Sequence, residues 1–327
     1  MGFFYDYFNT NRSVIYIHTE KGEYYAGERV TGTVTISVTE PMHVDGIFLK
    51  IKGFQLVSFD TTEWRTERFG PKATDTRQVA YTVNHCEKDA FFRKRFCLYN
   101  QRCTLQVANY VFPFDFRLSE DLPGVFKYGK EGKTPLAKIV YKVKAEVAVP
   151  EWHKFNLKHT QLLNVHRPLN QKISNAMAFK EQNVTFCCCV SKGHVNMSAK
   201  IDKNAYAPGE TVMLRLLVDS RACQVDIDHV SFKLIQSIDL RVRSRSWSWG
   251  GTIVKSTTAR IPHGTKTDRG IPLLLPRDLL PSTSSSLIDC TYDVQVLLSI
   301  PWCSDVLLRV PVQIYVPQLY DYQKDFK

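Results

Sequence analysis

Tyr24-Tyr25-Ala26-Gly27-Glu28-Arg29-Val30 and Tyr206-Ala207-Pro208-Gly209-Glu210-Thr211-Val212 are two copies of one local pattern, and reading them decides the fold. Each reads as a strand end, a turn whose glycine can take a positive φ, and a returning strand. Gly27 and Gly209 stand 182 positions apart. Further along, each copy is followed by a matching apolar strand, Phe48-Leu49-Lys50-Ile51 and Phe232-Lys233-Leu234-Ile235, with Lys50 and Lys233 offset by 183. Late in each half a strand led by tyrosine recurs, at Tyr141 and Tyr292. A near-constant offset kept over separate strands indicates two copies of one β-sandwich.

Working outward, the rest of the chain is dominated by period-two alternation. Val30, Gly32, Val34, Ile36 and Val38 share one parity and are expected in a core, with Thr31, Thr33, Thr35 and Ser37 facing water. In 139–147, Tyr141, Val143, Ala145 and Val147 are expected inside, and Lys142, Lys144 and Glu146 outside. Val212 to Val218, Val230 to Ile235, Tyr292 to Ile300 and Val306 to Tyr315 read as further strands, and only Gln101 to Tyr110 could hold a short helix. Many short strands with frequent turns mean an all-β chain of sandwiches or barrels, and the duplication favours two tandem β-sandwiches over one large barrel. The polar stretch from Arg167-Pro168 to Asn183 marks the boundary. The expected organisation is a sandwich over 1–170, a linker over 171–185, a second sandwich over 186–318 and a tail over 319–327.

Composition agrees with a globular chain: 44% apolar and 23% charged among 327 residues excludes intrinsic disorder. No apolar run approaches the ~18 residues of a membrane span, and Met1-Gly2-Phe3-Phe4-Tyr5-Asp6 has neither the basic nor the long apolar region of a secretory signal. Gly2 lacks the Ser or Thr at position 6 that acylation wants. Nine cysteines, three of them consecutive at Cys187–Cys189, fit a reducing compartment, where the sequons at Asn11, Asn183 and Asn196 carry no meaning. The triplet reads as plain thiols, with palmitoylation as the alternative. No CxxC occurs and neighbouring strand residues point apart, so no metal and no cofactor is expected.

Catalytic motifs are equally thin. Gly124 to Lys130 has the GxxxxGK spacing, but Glu131 stands where Ser or Thr must hold magnesium, and a strand follows. HExxH, GxSxG and GxGxxG do not occur, the histidines lack ligand spacing, and His85 and Cys86 diverge if they lie on a strand. The chain is read as a non-enzyme.

The charge points to an anionic partner. The net charge is +11, and residues 127–203 alone hold 14 basic and 5 acidic residues, a net of +9. Such a field attracts acidic lipid or a phosphorylated tail. Lys142 and Lys144 point outward from their strand, and Lys127, Lys130 and Lys133 lie on the loop leading into it, so the five are expected to form one anion-binding region. A second candidate is Arg241, Arg243, Arg245, Trp247 and Trp249, which lie on one face if the segment is extended, and could meet acidic headgroups or stacked bases. Arg93-Lys94-Arg95, after Phe91-Phe92, resembles a short localisation or anion patch and reads as an exposed loop or strand end. Without an RNA-binding signature, nucleic acid is not expected.

A family resemblance emerges from the order of several motifs: Tyr25-Ala26-Gly27-Glu28-Arg29-Val30-Thr31-Gly32, then Phe112-Pro113-Phe114-Asp115-Phe116-Arg117-Leu118, then Asp121-Leu122-Pro123-Gly124-Val125-Phe126. Tyr141-Lys142-Val143-Lys144-Ala145, Cys187-Cys188-Cys189 with Gly193, and Lys200 to Glu210 complete it. The chain resembles an arrestin-domain protein, nearest the α-arrestin branch. The resemblance implies two arrestin-like, immunoglobulin-like sandwiches and a non-enzymatic cytoplasmic adaptor. Such an adaptor would link membrane cargo, receptors or transporters, to sorting, endocytosis or ubiquitination machinery, peripherally at the plasma membrane or endosomes. The alternative is a constitutive structural subunit of a larger coat or cytoskeletal assembly, with the architecture of the retromer's arrestin-like subunit. Many α-arrestins carry PPxY motifs in a long tail; this chain has no Pro-Pro dipeptide and 12 residues after Tyr315. This departure from the family pattern leaves direct ligase recruitment and a phosphate-released tail open.

Overall fold

The computed structural model describes residues 13–69, 75–150, 156–169, 171–186 and 190–317. Cys187–Cys189, Gly2, Asn11 and the 319–327 tail lie outside the described residues. Two compact units divide the chain, Met1–Arg167 and Pro168–Lys327. Every regular element among the described residues is a strand.

Unit 1 contains β1 (Val14–Thr19), β2 (Glu23–Tyr25), β3 (Arg29–Ser37), β4 (Met42–Val44), β5 (Gly46–Phe69), β6 (Asp75–Tyr99), β7 (Cys103–Leu105), β8 (Asn109–Arg117), β9 (Phe126–Tyr128), β10 (Leu136–Ala148) and β11 (Leu157–His166). One sheet has the order β1-β3-β8; the other runs β2-β11-β10-β5-β6, with β9 on β10. Their facing sides bury Val30, Val34, Ile36, Ile47, Leu49, Ile51, Tyr141 and Val143. Each such side chain contributes on the order of 1.5–3 kcal/mol by leaving water. Gly32 is in the core because a Cβ there would stand 2.2 Å from His18 O and 2.7 Å from Phe114 Cζ.

Unit 2 contains β12 (Ala176–Phe186), β13 (Val190–Ile201), β14 (Ala205–Tyr206), β15 (Thr211–Asp219), β16 (His229–Val242), β17 (Arg245–Thr258), β18 (Lys266–Leu274), β19 (Thr283–Ser284), β20 (Ile288–Ser299) and β21 (Val306–Ile314). Its sheets run β12-β13-β15-β18 and β14-β21-β20-β16-β17, with β19 on β20. The fold is thus all-β, two sandwiches in tandem.

The repeat extends to atoms. Gly27 and Gly209 have φ of 87° and 85°. The Tyr25 and Ala207 N–H groups donate to the Glu28 and Glu210 carboxylates at 3.0 and 3.1 Å. Glu28 N–H and Glu210 N–H donate back to the carbonyls of Tyr25 and Ala207. Lys21 N–H and Lys203 N–H donate to the hydroxyls of Tyr24 and Tyr206 at 3.0 and 3.1 Å. In each unit the short strand before this turn, β2 or β14, pairs in parallel with the last long strand, β11 or β21.

Three expectations are corrected. Gln101 to Tyr110 is not a helix: β7 pairs with β4, and Asn109 and Tyr110 begin β8. The expected 171–185 linker is mostly β12, which pairs along β13 and anchors Lys180 Nζ to Leu307 O at 3.2 Å. The alternation was hidden because Met177 and Phe179 are exposed while the opposite side carries Lys180 and Gln182, and Val184 is the one buried residue of the strand. Of the two settings read for Arg93-Lys94-Arg95, the loop is corrected: the cluster lies in the last third of β6, paired with Lys52, Ile51 and Lys50.

Candidate anion-binding face

Unit 1 turns one side of the β11-β10-β5-β6 sheet to water. Residues directly opposite on antiparallel strands share a face, so register alone assembles this surface. Leu162, Lys142, Lys52 and Arg93 form one row; Thr160, Lys144, Lys50 and Arg95 form the next. Six cations thus occupy a grid with about 4.8 Å between strands and about 7 Å along them. Like charges placed directly opposite oppose pairing by up to about 1 kcal/mol each, so packing alone does not favour the grid.

The cations divide by partner. Glu146, expected outside, is buried to 8% exposure beneath three lysines. Lys50 Nζ lies 2.7 Å from its carboxylate, Lys158 3.5 Å and Lys144 3.8 Å, and Asn156 donates to it at 3.0 Å. The Lys50 hydrogen bond, with help from Asn156 and Lys144, pulls its pKa down to about 2 against the opposing effect of burial. Glu146 is therefore ionised whenever the protein is folded in ordinary conditions, and Lys50, Lys144 and Lys158 are held by it.

Lys142, Lys52 and Lys88 make no ion pair among the described residues and converge on Phe54 instead. Their Nζ atoms stand 5.6, 5.8 and 4.5 Å from the ring centroid. Phe54 points outward at the bulge between Gly53 and Gln55, yet is only 6% exposed, because the lysine stems lie over it. Ring quadrupole and stems fix three ammonium groups around one point, with charge left for an incoming anion. Arg95 is fixed similarly over Phe48, at 4.4 Å.

The five lysines expected to form one region are spread along a strip. Lys127 pairs with Lys138 on the same face, four residues along β10 from Lys142, about 13 Å away. Lys130 and Lys133 lie in the turn beyond β9, where Lys133 N–H donates to Lys130 O. Lys142 and Lys144 belong to the two rows, one with the lysines around Phe54 and the other at Glu146. Lys50, Lys52, Lys88 and Lys158 complete the face and were missed, and Arg93 and Arg95, noted in the sequence only as a separate basic cluster, join it through their pairing with Lys52 and Lys50. The available signal was the alternation Lys50-x-Lys52 and Arg93-x-Arg95, once both strands were known to neighbour β10. The basic stretch 127–203 also crosses from unit 1 into unit 2.

The second candidate strip does not lie on one face. Val242 pairs with Arg245 across the two-residue loop Arg243-Ser244, and Arg243 has a φ of 53°. This reversal puts Arg241 opposite Ser246 on one side and Arg245, Trp247 and Trp249 on the other, with Val242, Leu240 and Ile238. Arg241 is bonded to Asp289. The remaining motifs fold as strands and turns. Gly124 to Lys130 leads through β9 into β10, not a helix. His85 contacts Thr61 at 2.8 Å and the Phe59 ring, while Cys86 faces the other way opposite Ser58. No group of three or more potential metal ligands and no helix able to cross a membrane occurs among the described residues.

Comparison with known proteins agrees with this architecture. The family model of the arrestin (or S-antigen) N-terminal domain matches residues 13–172, and that of the C-terminal domain residues 191–319. Arrestin domain-containing protein A of Dictyostelium discoideum is 28% identical over 94% of this chain and 52% of its own length. Arrestin domain-containing protein B of the same organism is 20% identical over 91% and 45%. Human arrestin domain-containing protein 4 is 23% identical over 92% and 70%. The chain spans about half the length of the two Dictyostelium relatives. The chain belongs to the arrestin family, as a tandem N- and C-domain protein of the arrestin domain-containing, or α-arrestin, branch.

Proposed function

We propose that the protein is a non-enzymatic adaptor that engages anionic cargo through the outer face of unit 1 and links it to sorting, endocytic or ubiquitination machinery. The observation carrying this reading is the set of three ammonium groups, Lys52, Lys88 and Lys142, held over Phe54 without a carboxylate partner among the described residues. A phosphate on a membrane protein's cytoplasmic tail fits this chemistry, and acidic lipid beside that tail would reinforce it. Each lysine near such a surface contributes about 1 kcal/mol, screened beyond about 10 Å. The protein would then act at the cytoplasmic side of the plasma membrane or endosomes.

The test replaces Lys52, Lys88 and Lys142 together with Glu. Binding to a doubly phosphorylated peptide is measured at low and high salt, beside binding to phosphatidylserine vesicles. The expected result is at least a hundredfold loss of phosphopeptide affinity with unchanged circular dichroism. Equal affinity of parent and variant at low salt overturns the reading. Loss of vesicle binding alone would make lipid, not cargo, the ligand.

A further inference from the structure

β17 is the last strand of its sheet, and its pairing is with β16. The two are joined by a two-residue loop, so the closing pair Val242 and Arg245 exchanges backbone hydrogen bonds and the ladder alternates from there. The bonded pairs are then Leu240 with Trp247, Ile238 with Trp249 and Gln236 with Gly251. A separate bond fixes the same phase: Arg241 N–H turns toward β20, donating to Leu287 O at 2.9 Å. The backbone N–H and C=O groups of Ser246, Ser248, Gly250 and Thr252 consequently point outward along the edge.

Natural edge strands are guarded by charge, proline or bulges. The edge strand of unit 1, β6, carries Glu87, Lys88, Asp89, Arg93, Lys94 and Arg95. From Ser246 through Val254, β17 has neither charge nor proline. Its four outward-bonding residues are exposed and none is larger than threonine, so another backbone can approach closely. The bulge between the pairs Leu234–Val254 and Ile235–Thr252 ends the regular run, leaving a seven-residue template from Ser246 to Thr252.

Charge selects the occupant. β17 contains Arg245 and Lys255 and no acidic residue. Arg243 stands at the turn, and Lys233 lies directly opposite Lys255. Asp239 is taken by the Ser248 hydroxyl, and Asp289 by Arg241. A second copy, of a chain with net charge +11, would bring the same cations against these. We propose that the outer edge of β17 accepts an extended segment of a partner protein as an added strand, uncharged at its centre and acidic at its ends. Backbone bonds to Ser246, Ser248, Gly250 and Thr252 hold it, and the cations at both ends of β17 set its composition. This surface lies in unit 2 and is independent of the basic face of unit 1.

Binding is measured with the full chain by calorimetry and by tryptophan fluorescence. The probe is a blocked peptide of alternating threonine and valine with two glutamates at each end, beside its lysine-ended counterpart. Ser248→Pro removes one outward N–H and leaves the backbone ladder to β16, a position where an edge strand tolerates proline, but it also removes the Ser248 hydroxyl from Asp239; Thr252→Pro therefore repeats the test at a second outward site, and Ser248→Ala controls for the lost hydroxyl. The expected result is saturable binding of the glutamate-ended peptide, at least tenfold weaker for the lysine-ended one and for either proline variant, whose melting temperatures stay near the parent's. Equal binding of both peptides, undiminished binding by the proline variants, or no binding of the glutamate-ended peptide overturns the proposal. So does a stable dimer of the parent that Ser248→Pro dissolves, since the occupant would then be a second copy.

Discussion

Tyr141 and Tyr292 are the same device in two units. Each buried hydroxyl donates to a backbone carbonyl of the segment passing over its sheet, Tyr141 to Pro123 O at 2.6 Å and Tyr292 to Leu280 O at 2.7 Å. Burial pushes both phenols well above their ordinary pKa, so each remains a neutral donor. Tyr141→Phe leaves Pro123 O without this partner and is expected to cost about 1–2 kcal/mol. Tyr292→Phe should cost the same or more, because Gln236 Nε2 also donates to that hydroxyl, at 2.6 Å. Urea unfolding of each variant checks this; no change in either midpoint would refute the shared role.

Gly27 and Gly209 both sit in the left-handed region, where a β-branched side chain is strained. A Cβ would also press on Glu120 Cγ at 3.1 Å or Arg277 Cγ at 3.2 Å, both flexible side chains that can move aside. Backbone strain therefore dominates, and Gly27→Val and Gly209→Val should each cost about 1–3 kcal/mol. Similar losses in the two units, read by thermal melting, would mark the turns as equivalent; an unchanged melting temperature in both would not.

Glu146 makes unit 1 sensitive to strong acid. Its folded pKa, about 2, lies below the ordinary carboxylate value of about 4.3. Its contribution is therefore fully present above pH 4.3 and is lost as pH falls toward 2. With the lysine partners about 40% exposed, solvent screening reduces the contribution to about 1–2 kcal/mol. Glu146→Gln should lower stability by this amount at pH 7 and by almost nothing at pH 2, as followed by urea unfolding across pH.

His166 acts in the milder range. It is buried beside Tyr25, with both ring nitrogens lacking a hydrogen-bond partner among the described residues. Glu23 lies 3.7 Å away, too far for a hydrogen bond. Burial lowers its pKa, and Glu23 only partly opposes this. Since the folded pKa lies below the unfolded value near 6.5, stability is full above pH 6.5 and falls as pH drops below it. His166→Phe should flatten the dependence of melting temperature on pH between 7 and 5; an unchanged slope would assign the sensitivity elsewhere.

The repeated turn, the alternation of Val30 to Val38 and the matching strands carry the fold because strand parity and positive-φ glycines are local properties. The sequence by itself therefore determined an all-β chain of two related sandwiches, and the outward direction of Lys142 and Lys144. It could not determine which strands are neighbours. Lys52 comes from β5 and Lys88 from β6, far along the chain from Lys142, and only the order β10-β5-β6 brings all three to Phe54. Parity likewise assigned Glu146 to the solvent face, while cross-strand register surrounded it with Lys50, Lys144 and Lys158 and buried it. The Arg241 to Trp249 strip divided between two faces for the same reason: a turn at Arg243-Ser244 reverses the chain, and parity persists only while a strand continues. Tertiary structure decided the site because charge clusters across strands through hydrogen-bond register, which no local pattern in one strand encodes.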